Sequence, residues 1–374
     1  MQKIRFIFRR INMKKSNYIA NNDVLIAEKT TYVQDYYLEK STVPLSPATL
    51  YQYLTEFHRF FTWIMDTGIT NAVKIKDIPL SDLEKFKKQD MELYKAFLLN
   101  RGKETAKNPQ GTLSHRTVNR SLNALSALFR YLTEESENDD GEPYFYRNVM
   151  KKIALVPDSE TYQTRARNIK DKLMLGDADV NYLNYILNDY SKQIKGKRLL
   201  KMHERDRERD VAINALMLGT GIRVSELTNA NLNDLNLKKA TVSVQRKGGK
   251  RDSVPIANWV IPYIKPYLQV RNQRYHATAA TPSLFLTKGV DEPRRISTAT
   301  VELLVAKYSQ AFNHVRITPH KLRHTLASKL YLETNNEHLV ATQLGQTSTK
   351  ATGLYTHIVD TKQKKALDEL HKDH

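Results

Sequence analysis

Cysteine is absent from this sequence of 374 residues. Without a thiol, the chain can form no disulfide bond, no thiolate zinc site and no cysteine nucleophile. Long apolar runs are also absent, because no stretch approaches the length that crosses a bilayer. The first residues mix basic and apolar side chains and lack the small-residue cleavage site of a secretory signal. We therefore expect a cytoplasmic protein.

Acidic residues are in the minority. The chain has 40 Asp and Glu against 59 Lys and Arg, which gives a formal net charge of +19. This excess of positive charge predicts a polyanionic partner, and nucleic acid fits better than a membrane surface. Basicity alone does not distinguish ribosomal, nucleoid and repair proteins. With 40% hydrophobic residues, a chain of this length should fold into two globular domains.

The first half of the chain is predicted to be helical, because apolar residues recur at three- and four-residue spacing. Two such stripes comprise Leu50, Leu54, Phe57, Phe61 and Ile64, and then Val118, Leu122, Leu125, Phe129 and Leu132. Ser114 is the expected N-cap of the second helix. The opposite face of that helix carries Arg116, Asn119 and Arg120, which we interpret as a DNA-binding surface. A solvated basic face is the alternative.

Composition divides the chain into four segments. An acidic, turn-rich stretch followed by residues with little periodicity indicates a linker between two domains. The predicted segments are a basic N-terminal tail at 1–24, a helical domain at 25–156, a linker at 157–172, and a second domain at 173–374 that ends in a short tail helix.

The second half combines helices with one β-hairpin. In "ATVSVQRKGGKRDSVPI", Val242 and Val244 alternate with polar residues, "KGGK" provides a turn, and the alternation resumes at Val254. This pattern is typical of a hairpin, and Lys247 and Lys250 should project from its end. Helices return from about residue 298. The predicted fold class is therefore mainly α with a small β element.

Cationic residues cluster at the start of a predicted helix, in "TPHKLRHTLASKL". Thr318 suits the N-cap and Pro319 the first helical position. His320 and Arg323 then lie one turn apart, near a helix end that is already partly positive. Such an end binds anions, and phosphate is the natural candidate. A basic solvated face is the alternative that this stretch leaves open.

Four separated elements offer groups suited to cleaving DNA. Two arginines can clamp a phosphate, because guanidinium is planar and permanently charged. A tyrosine can attack phosphorus if a cationic pocket helps to remove its proton. The candidates are Arg223, Lys247, His320 with Arg323, and Tyr355. We expect no metal and no other cofactor, since "HKLRH" lacks the Glu of the H-E-x-x-H motif and no fitting carboxylate cluster accompanies it.

The motifs "GTGIRVSEL", "RKGGKRDSVPI", "TPHKLRH", "LGQ" and "YTHI" occur in this order. Together they resemble the boxes of the tyrosine recombinase (phage integrase) family, in particular its Xer type. The resemblance implies a helical core-binding (SAM-like) N-terminal domain and an α-rich catalytic domain, which clamp double-stranded DNA. It implies site-specific cutting and rejoining through a 3′-phosphotyrosine, as in type IB topoisomerases, without a cofactor. It also implies a homotetramer on paired sites, chromosome-dimer resolution at a dif-like site during cell division, and a DNA translocase as a possible partner.

The resemblance also assigns roles to residues. Arg223 and Arg323 match the phosphate clamp, Tyr355 the nucleophile, Lys247 the general acid for the 5′ oxygen, His320 the histidine that assists proton transfer, and Glu226 an acidic residue that supports the pocket. Lys250 is expected to contact phosphate. We expect structural roles for His324 and His357.

One position departs from the family, which usually has His or Trp where this chain has Gln346. An amide donates hydrogen bonds but exchanges no proton at neutral pH. The departure keeps a non-enzymatic DNA-binding relative open as an alternative function. A mobile-element integrase is a second alternative, because it would share every catalytic residue.

Overall fold

The computed structural model describes residues 15–42, 45–102, 110–157, 160–246, 249–289, 292–348 and Tyr355. The chain divides into two compact units, Met1–Ser159 and Glu160–His374. Helices dominate both units, and short antiparallel strands occur in the second. The mainly α fold class is therefore confirmed. Lys247, His357 and the predicted C-terminal tail helix lie outside the described residues.

The first unit is a set of helices around an aromatic-rich core. Its helices are α1 Lys15–Ala27, α2 Thr31–Thr42, α3 Pro47–Asp66, α4 Leu80–Glu84, α5 Lys88–Leu99 and α6 His115–Arg130. Short 3₁₀ turns lie at Ile75–Asp77 and Val149–Lys152, and the π-helical turn Tyr131–Glu135 continues α6.

Helices α3 and α6 are well defined because each has a capped start and one apolar face. Ser46 accepts a 3.1 Å hydrogen bond from the Thr49 backbone N–H, and Ser114 accepts one of 3.3 Å from the Thr117 backbone N–H. Such a cap satisfies an N–H group that has no partner within the helix. Every residue of the two predicted apolar stripes is buried, and the two helices pack together. The predicted stripes are confirmed.

The prediction of a basic N-terminal tail at residues 1–24 is wrong in part. Helix α1 begins at Lys15 and packs along α3. Asn22 is fully buried there, and its Nδ2 donates a 3.0 Å hydrogen bond to the carbonyl of Pro47. The segment is rich in polar residues, so its sequence showed no helical periodicity. A tertiary contact with the start of α3 holds it in place.

The second unit surrounds a large apolar core. Its helices are α7 Tyr162–Lys170, α8 Ala178–Asn184, α9 Lys197–Thr220, α10 Val224–Asn229, α11 Ile261–Tyr275, α12 Thr298–Asn313, α13 Pro319–Thr334 and α14 Glu337–Leu344. Shorter helical turns are Tyr185–Asp189, Tyr190–Gln193, Leu232–Asp234 and Asn258–Val260. Helix α9 is central, because every residue from Glu208 to Thr220 is buried.

Short strands lie beside this core. They are β1 Leu235–Asn236, β2 Thr241–Gln245, β3 Arg251–Pro255, β4 Leu286–Thr287 and β5 Arg294–Arg295. The first three form an antiparallel sheet in the order β1-β2-β3, with Val242 opposite Val254. The alternating valines are buried, which confirms the predicted hairpin. Strands β4 and β5 form a separate antiparallel pair.

The linker predicted at residues 157–172 is mostly a helix that belongs to the second unit. Thr161 caps α7 by accepting a 3.2 Å hydrogen bond from the Thr164 backbone N–H. Ala166 and Ile169 are buried in a small cluster with residues of α13 and α14. Two buried apolar residues make too weak a pattern for sequence periodicity to detect. The prediction of a connecting segment at these positions therefore needs correction.

Candidate active site

The first arginine of the site lies where α9 ends and α10 begins. Gly221 ends α9 with a φ of 67°, and a Cβ there would lie 2.8 Å from Leu344. Glycine is therefore required both by the backbone and by the close packing. Arg223 is the N-cap residue of α10, where its backbone N–H and its Nη1 donate to Glu226 at 2.7 and 2.8 Å. Its side chain remains 39% exposed, so the guanidinium can still meet a ligand.

The second arginine, Arg323, is buried on α13. Its Nη1 donates to the Gly221 carbonyl at 2.6 Å and its Nη2 to the Leu344 carbonyl at 2.7 Å. These bonds join α13 to the ends of α9 and α14. Burial, together with the nearby charge of Arg223, lowers the pKa of Arg323 to about 10. Because both bonds go to neutral carbonyls, an anion bound nearby would offset the charge of Arg323.

A third arginine, Arg246, was not singled out by the sequence reasoning. It follows β2, where Nη1 donates to Glu226 at 3.0 Å and Nε to Asp252 at 2.9 Å. A Cβ at Gly345 would lie 2.4 Å from Nε of Arg246. Glu226 thus accepts hydrogen bonds from both Arg223 and Arg246. The one sequence signal for Arg246 is its position next to Lys247 at the start of the hairpin turn. Our sequence analysis assigned a role only to Lys247.

His320 lies in the first turn of α13, at an exposed position. Thr318 occupies the predicted N-cap position, but the described structure shows no capping hydrogen bond from its side chain. Although the residue is exposed as a whole, partial desolvation of its ring lowers the pKa of His320, and the charges of Arg323, Lys321 and Arg223 lower it further. The imidazole is therefore neutral at neutral pH and can either donate or accept a hydrogen bond.

Tyr355 is buried, in the small cluster that includes Ala166 and Ile169 of α7. Its hydroxyl lies 2.9 Å from Nδ1 of His324. Burial raises the pKa of Tyr355 to about 12, although the charge of Arg323 opposes this shift. His324, for which we expected a structural role, therefore contacts the candidate nucleophile. The one sequence signal for His324 is its spacing of one helical turn from His320, which also occurs in metal-binding helices.

Two other predicted positions lie near these groups. Gln346 follows α14, and its backbone N–H donates to Ala341 at 2.9 Å. Its side-chain Oε1 is buried and has no hydrogen-bond partner within the described part of the chain. Lys250 is exposed at the end of the hairpin, and its carbonyl accepts a 2.7 Å bond from the Arg246 backbone N–H.

The first unit carries the other predicted DNA-binding residues. Arg116 and Arg120 are exposed and line a groove of about 600 Å³ together with Tyr53 of α3. Asn119 lines the same groove. Its Nδ2 donates to the Val156 carbonyl and its Oδ1 accepts from the Val156 backbone N–H, both at 2.8 Å. These two bonds hold the amide against Val156, and each of its polar atoms retains the capacity for one further hydrogen bond.

Two features are absent from the described residues. No group of three or more histidine, aspartate or glutamate side chains there is arranged to hold a metal ion. None of the helices in these ranges combines the length and the apolar character needed to cross a membrane.

Comparison with known proteins identifies the family. Residues 191–362 match the profile of the phage integrase family. Tyrosine recombinase XerS of Lactococcus lactis subsp. lactis strain IL1403 is 50% identical over 358 residues, which cover 96% of this chain and 100% of that protein. XerS of Streptococcus pneumoniae strain P1031 has the same identity and coverage.

Two solved structures share the fold. XerH site-specific recombinase bound to a palindromic difH substrate is 18% identical and has a TM-score of 0.63, with 95% of this chain and 89% of that chain covered. A lambda integrase dimer bound to a COC′ core site is 14% identical and has a TM-score of 0.53, with 88% and 96% covered.

These findings define the class of this protein: the chain belongs to the tyrosine recombinase (phage integrase) family. Within that family it is a Xer-type recombinase, an enzyme of site-specific DNA recombination. The predicted family and activity are confirmed.

Proposed function

We propose that this chain cleaves and rejoins double-stranded DNA with Tyr355 as the nucleophile and with Arg223 and Arg323 as the phosphate clamp. The arrangement of charge around Arg323 supports this most directly. Arg223 and Glu226 at the start of α10, and Tyr355 more than 100 residues later in the chain, all act electrostatically on its guanidinium. Arg223 points an exposed guanidinium into the same region, and two such groups match the oxygens of one phosphodiester.

In the proposed reaction, the Tyr355 oxygen bonds to the scissile phosphorus while the bond from phosphorus to the 5′ oxygen breaks. The hydroxyl proton of Tyr355 passes to a neutral imidazole of the site, and the 5′ oxygen receives a proton from Lys247. Arg223, Arg323 and the neutral His320 stabilise the charge that develops on the non-bridging oxygens. The 3′-phosphotyrosine retains the energy of the phosphodiester, so a 5′ hydroxyl can reverse the step without ATP.

The supporting residues have separate tasks in this proposal. Glu226 orients Arg223 through two hydrogen bonds and holds Arg246 at the start of the hairpin turn. Gln346 donates an amide hydrogen bond to the phosphate. The unpartnered Oε1 of Gln346 supports a rearrangement of this side chain when DNA binds. Lys250 contacts the DNA backbone from the hairpin.

The partner in this proposal is double-stranded DNA, bound by both units in the cytoplasm. Arg116 and Arg120 contact the backbone from the first unit. The XerS relatives and the XerH complex with its difH substrate support a dif-like site, chromosome-dimer resolution during cell division and a homotetramer on two paired sites. A DNA translocase of the division machinery would then control the reaction.

The test of this function is covalent capture. The native DNA site is first identified by sequencing DNA that is crosslinked to the protein. The wild type, Tyr355→Phe and Tyr331→Phe are then incubated with a nicked suicide substrate that carries this site. Adduct that survives denaturation is then measured. We expect adduct from the wild type and from the Tyr331 control, and none from Tyr355→Phe at unchanged DNA affinity. Adduct from Tyr355→Phe at the wild-type level would assign the nucleophile to another residue.

A further inference from the structure

His324 is the residue of the site that the family motifs leave without a role. It lies one helical turn after His320 on α13, and the two rings meet edge to face with centroids 4.5 Å apart. Its Nδ1 is 2.9 Å from the hydroxyl oxygen of Tyr355, and the two ring centroids are 5.6 Å apart. This contact joins two elements that are far apart in sequence. It places an imidazole nitrogen within hydrogen-bond distance of the Tyr355 oxygen, which attacks phosphorus in the proposed reaction.

The proton of Tyr355 needs an acceptor during the reaction. Burial raises the pKa of Tyr355 to about 12, so the hydroxyl is protonated at neutral pH. Burial, together with the charges around it, lowers the pKa of His324 to about 3. A neutral imidazole has one nitrogen that accepts a hydrogen bond. At 2.9 Å, Nδ1 can accept from the tyrosine hydroxyl if Nε2 carries the ring proton.

We propose that His324 is the general base of the cleavage step, accepting the Tyr355 proton at Nδ1 as the tyrosine oxygen bonds to phosphorus. The hydroxyl proton becomes strongly acidic while that bond forms, so an acceptor of low intrinsic basicity suffices. In the rejoining step the imidazolium returns the proton to the departing Tyr355 oxygen. The proton balance over one complete cycle is therefore zero.

The charged surroundings make this transfer depend on DNA. The groups that act on His324 are His320, Lys321 and Arg323 of α13, Arg165 of α7, and the Tyr355 hydroxyl. The named neighbours include three cationic side chains, which oppose protonation of His324 in the free protein. A bound phosphodiester adds negative charge beside these cations and eases protonation of the imidazole. The nucleophile is thus held protonated until a scissile phosphate is in place.

This role of His324 rests on the proposed function. Its test compares the pH profiles of single-turnover adduct formation on a suicide substrate. The variants are His324→Phe, which keeps a ring but no acceptor, and His324→Asn, which keeps an acceptor that takes no proton. His338→Asn, at an exposed position on α14, is the control. We expect both His324 variants to be slower by about a hundredfold to ten-thousandfold near neutral pH.

The pH dependence distinguishes a base from a packing role. Wild-type and control rates should be nearly constant from about pH 6.5 to about pH 8.5, because the neutral imidazole is available throughout. Without a base, only ionised Tyr355 reacts, so the rate of the variants should rise about tenfold per pH unit below the tyrosine pKa. A His324→Asn variant with a wild-type rate and a flat profile would overturn the proposal.

A second substrate separates this role from that of the general acid. A bridging 5′-sulfur is a leaving group that needs no proton, so it should restore cleavage by Lys247→Ala but leave His324→Phe slow. Restoration of His324→Phe to the wild-type rate would make His324 part of the acid pathway and overturn the proposal. Loss of adduct in Tyr355→Phe is measured in parallel. Its persistence would overturn the proposed function itself, so the two failures are distinguishable.

Discussion

At the scale of single residues, buried charge holds this site together. Arg323 and Arg246 are both largely buried, yet they are bonded differently: Arg323 to two carbonyls, Arg246 to two carboxylates. Arg246 is therefore compensated within the protein, whereas Arg323 benefits from a ligand anion. A lysine would not replace either one, because a single ammonium cannot span two acceptors held in this fork geometry.

A prediction at this scale concerns Gln346. Gln346→Ala removes an amide donor, and the expected loss of one transition-state hydrogen bond slows cleavage by about tenfold to a thousandfold. Gln346→His restores a donor and should preserve or increase the rate. Single-turnover cleavage is measured beside DNA affinity, with Gln310→Ala on α12 as the control. Wild-type speed in Gln346→Ala would mean that this amide does not contact the phosphate.

At the scale of elements, helix α7 is the main surprise. It lies at residues where a linker was expected, and it supplies part of the apolar wall around Tyr355. It also places Arg165 close enough to affect the charge state of both His324 and Lys321. Helix α7 therefore packs against the candidate nucleophile and contributes to the candidate active site.

The prediction for α7 compares two neighbouring positions. Ile169→Ala removes part of the wall around Tyr355 and should lower the free energy of unfolding by about 2 kcal/mol. Displacement of Tyr355 should also slow cleavage, by as much as about a hundredfold. Asn168→Ala, at an exposed position on the same helix, should change stability by less than about 0.5 kcal/mol. Thermal unfolding measures the change in stability, and single-turnover cleavage measures the change in rate. Equal cleavage rates of the two variants would mean that α7 does not contribute to the site.

At the scale of the whole molecule, the chain consists of two units with separate cores. Both units contain exposed basic residues, as Arg120 and Lys250 illustrate. A protein that binds DNA through both units neutralises more phosphates than either unit alone. Its affinity for DNA should therefore depend steeply on salt.

The prediction at this scale uses a fragment that begins at residue 160 and so retains α7. It should bind DNA more weakly than the full chain, and the slope of log affinity against log salt should be shallower, because fewer counterions are released. A second fragment that begins at residue 173 should in addition lose cleavage. Affinity measured over a salt series checks the first expectation. Equal slopes for the full chain and the longer fragment would contradict a role of the first unit in DNA binding.

The amino-acid sequence by itself determined the features that depend on local pattern. The apolar stripes of α3 and α6, their serine caps and the valine alternation of the hairpin follow from periodicities of a few residues. The ordered motifs likewise indicated the family and the candidate arginines, because the spacing of chemical groups along the chain is itself the signal.

Only the tertiary structure decided which side chains meet. The contact of His324 with Tyr355, the bonds from Arg246 to Glu226 and the use of the Asn119 amide by Val156 join residues that no local pattern relates. Helix α7 was not predicted for the same reason. Its few apolar residues are buried only because they pack against α13 and α14. Packing and hydrogen bonding between distant segments set these contacts, and periodicity along the chain carries no information about them.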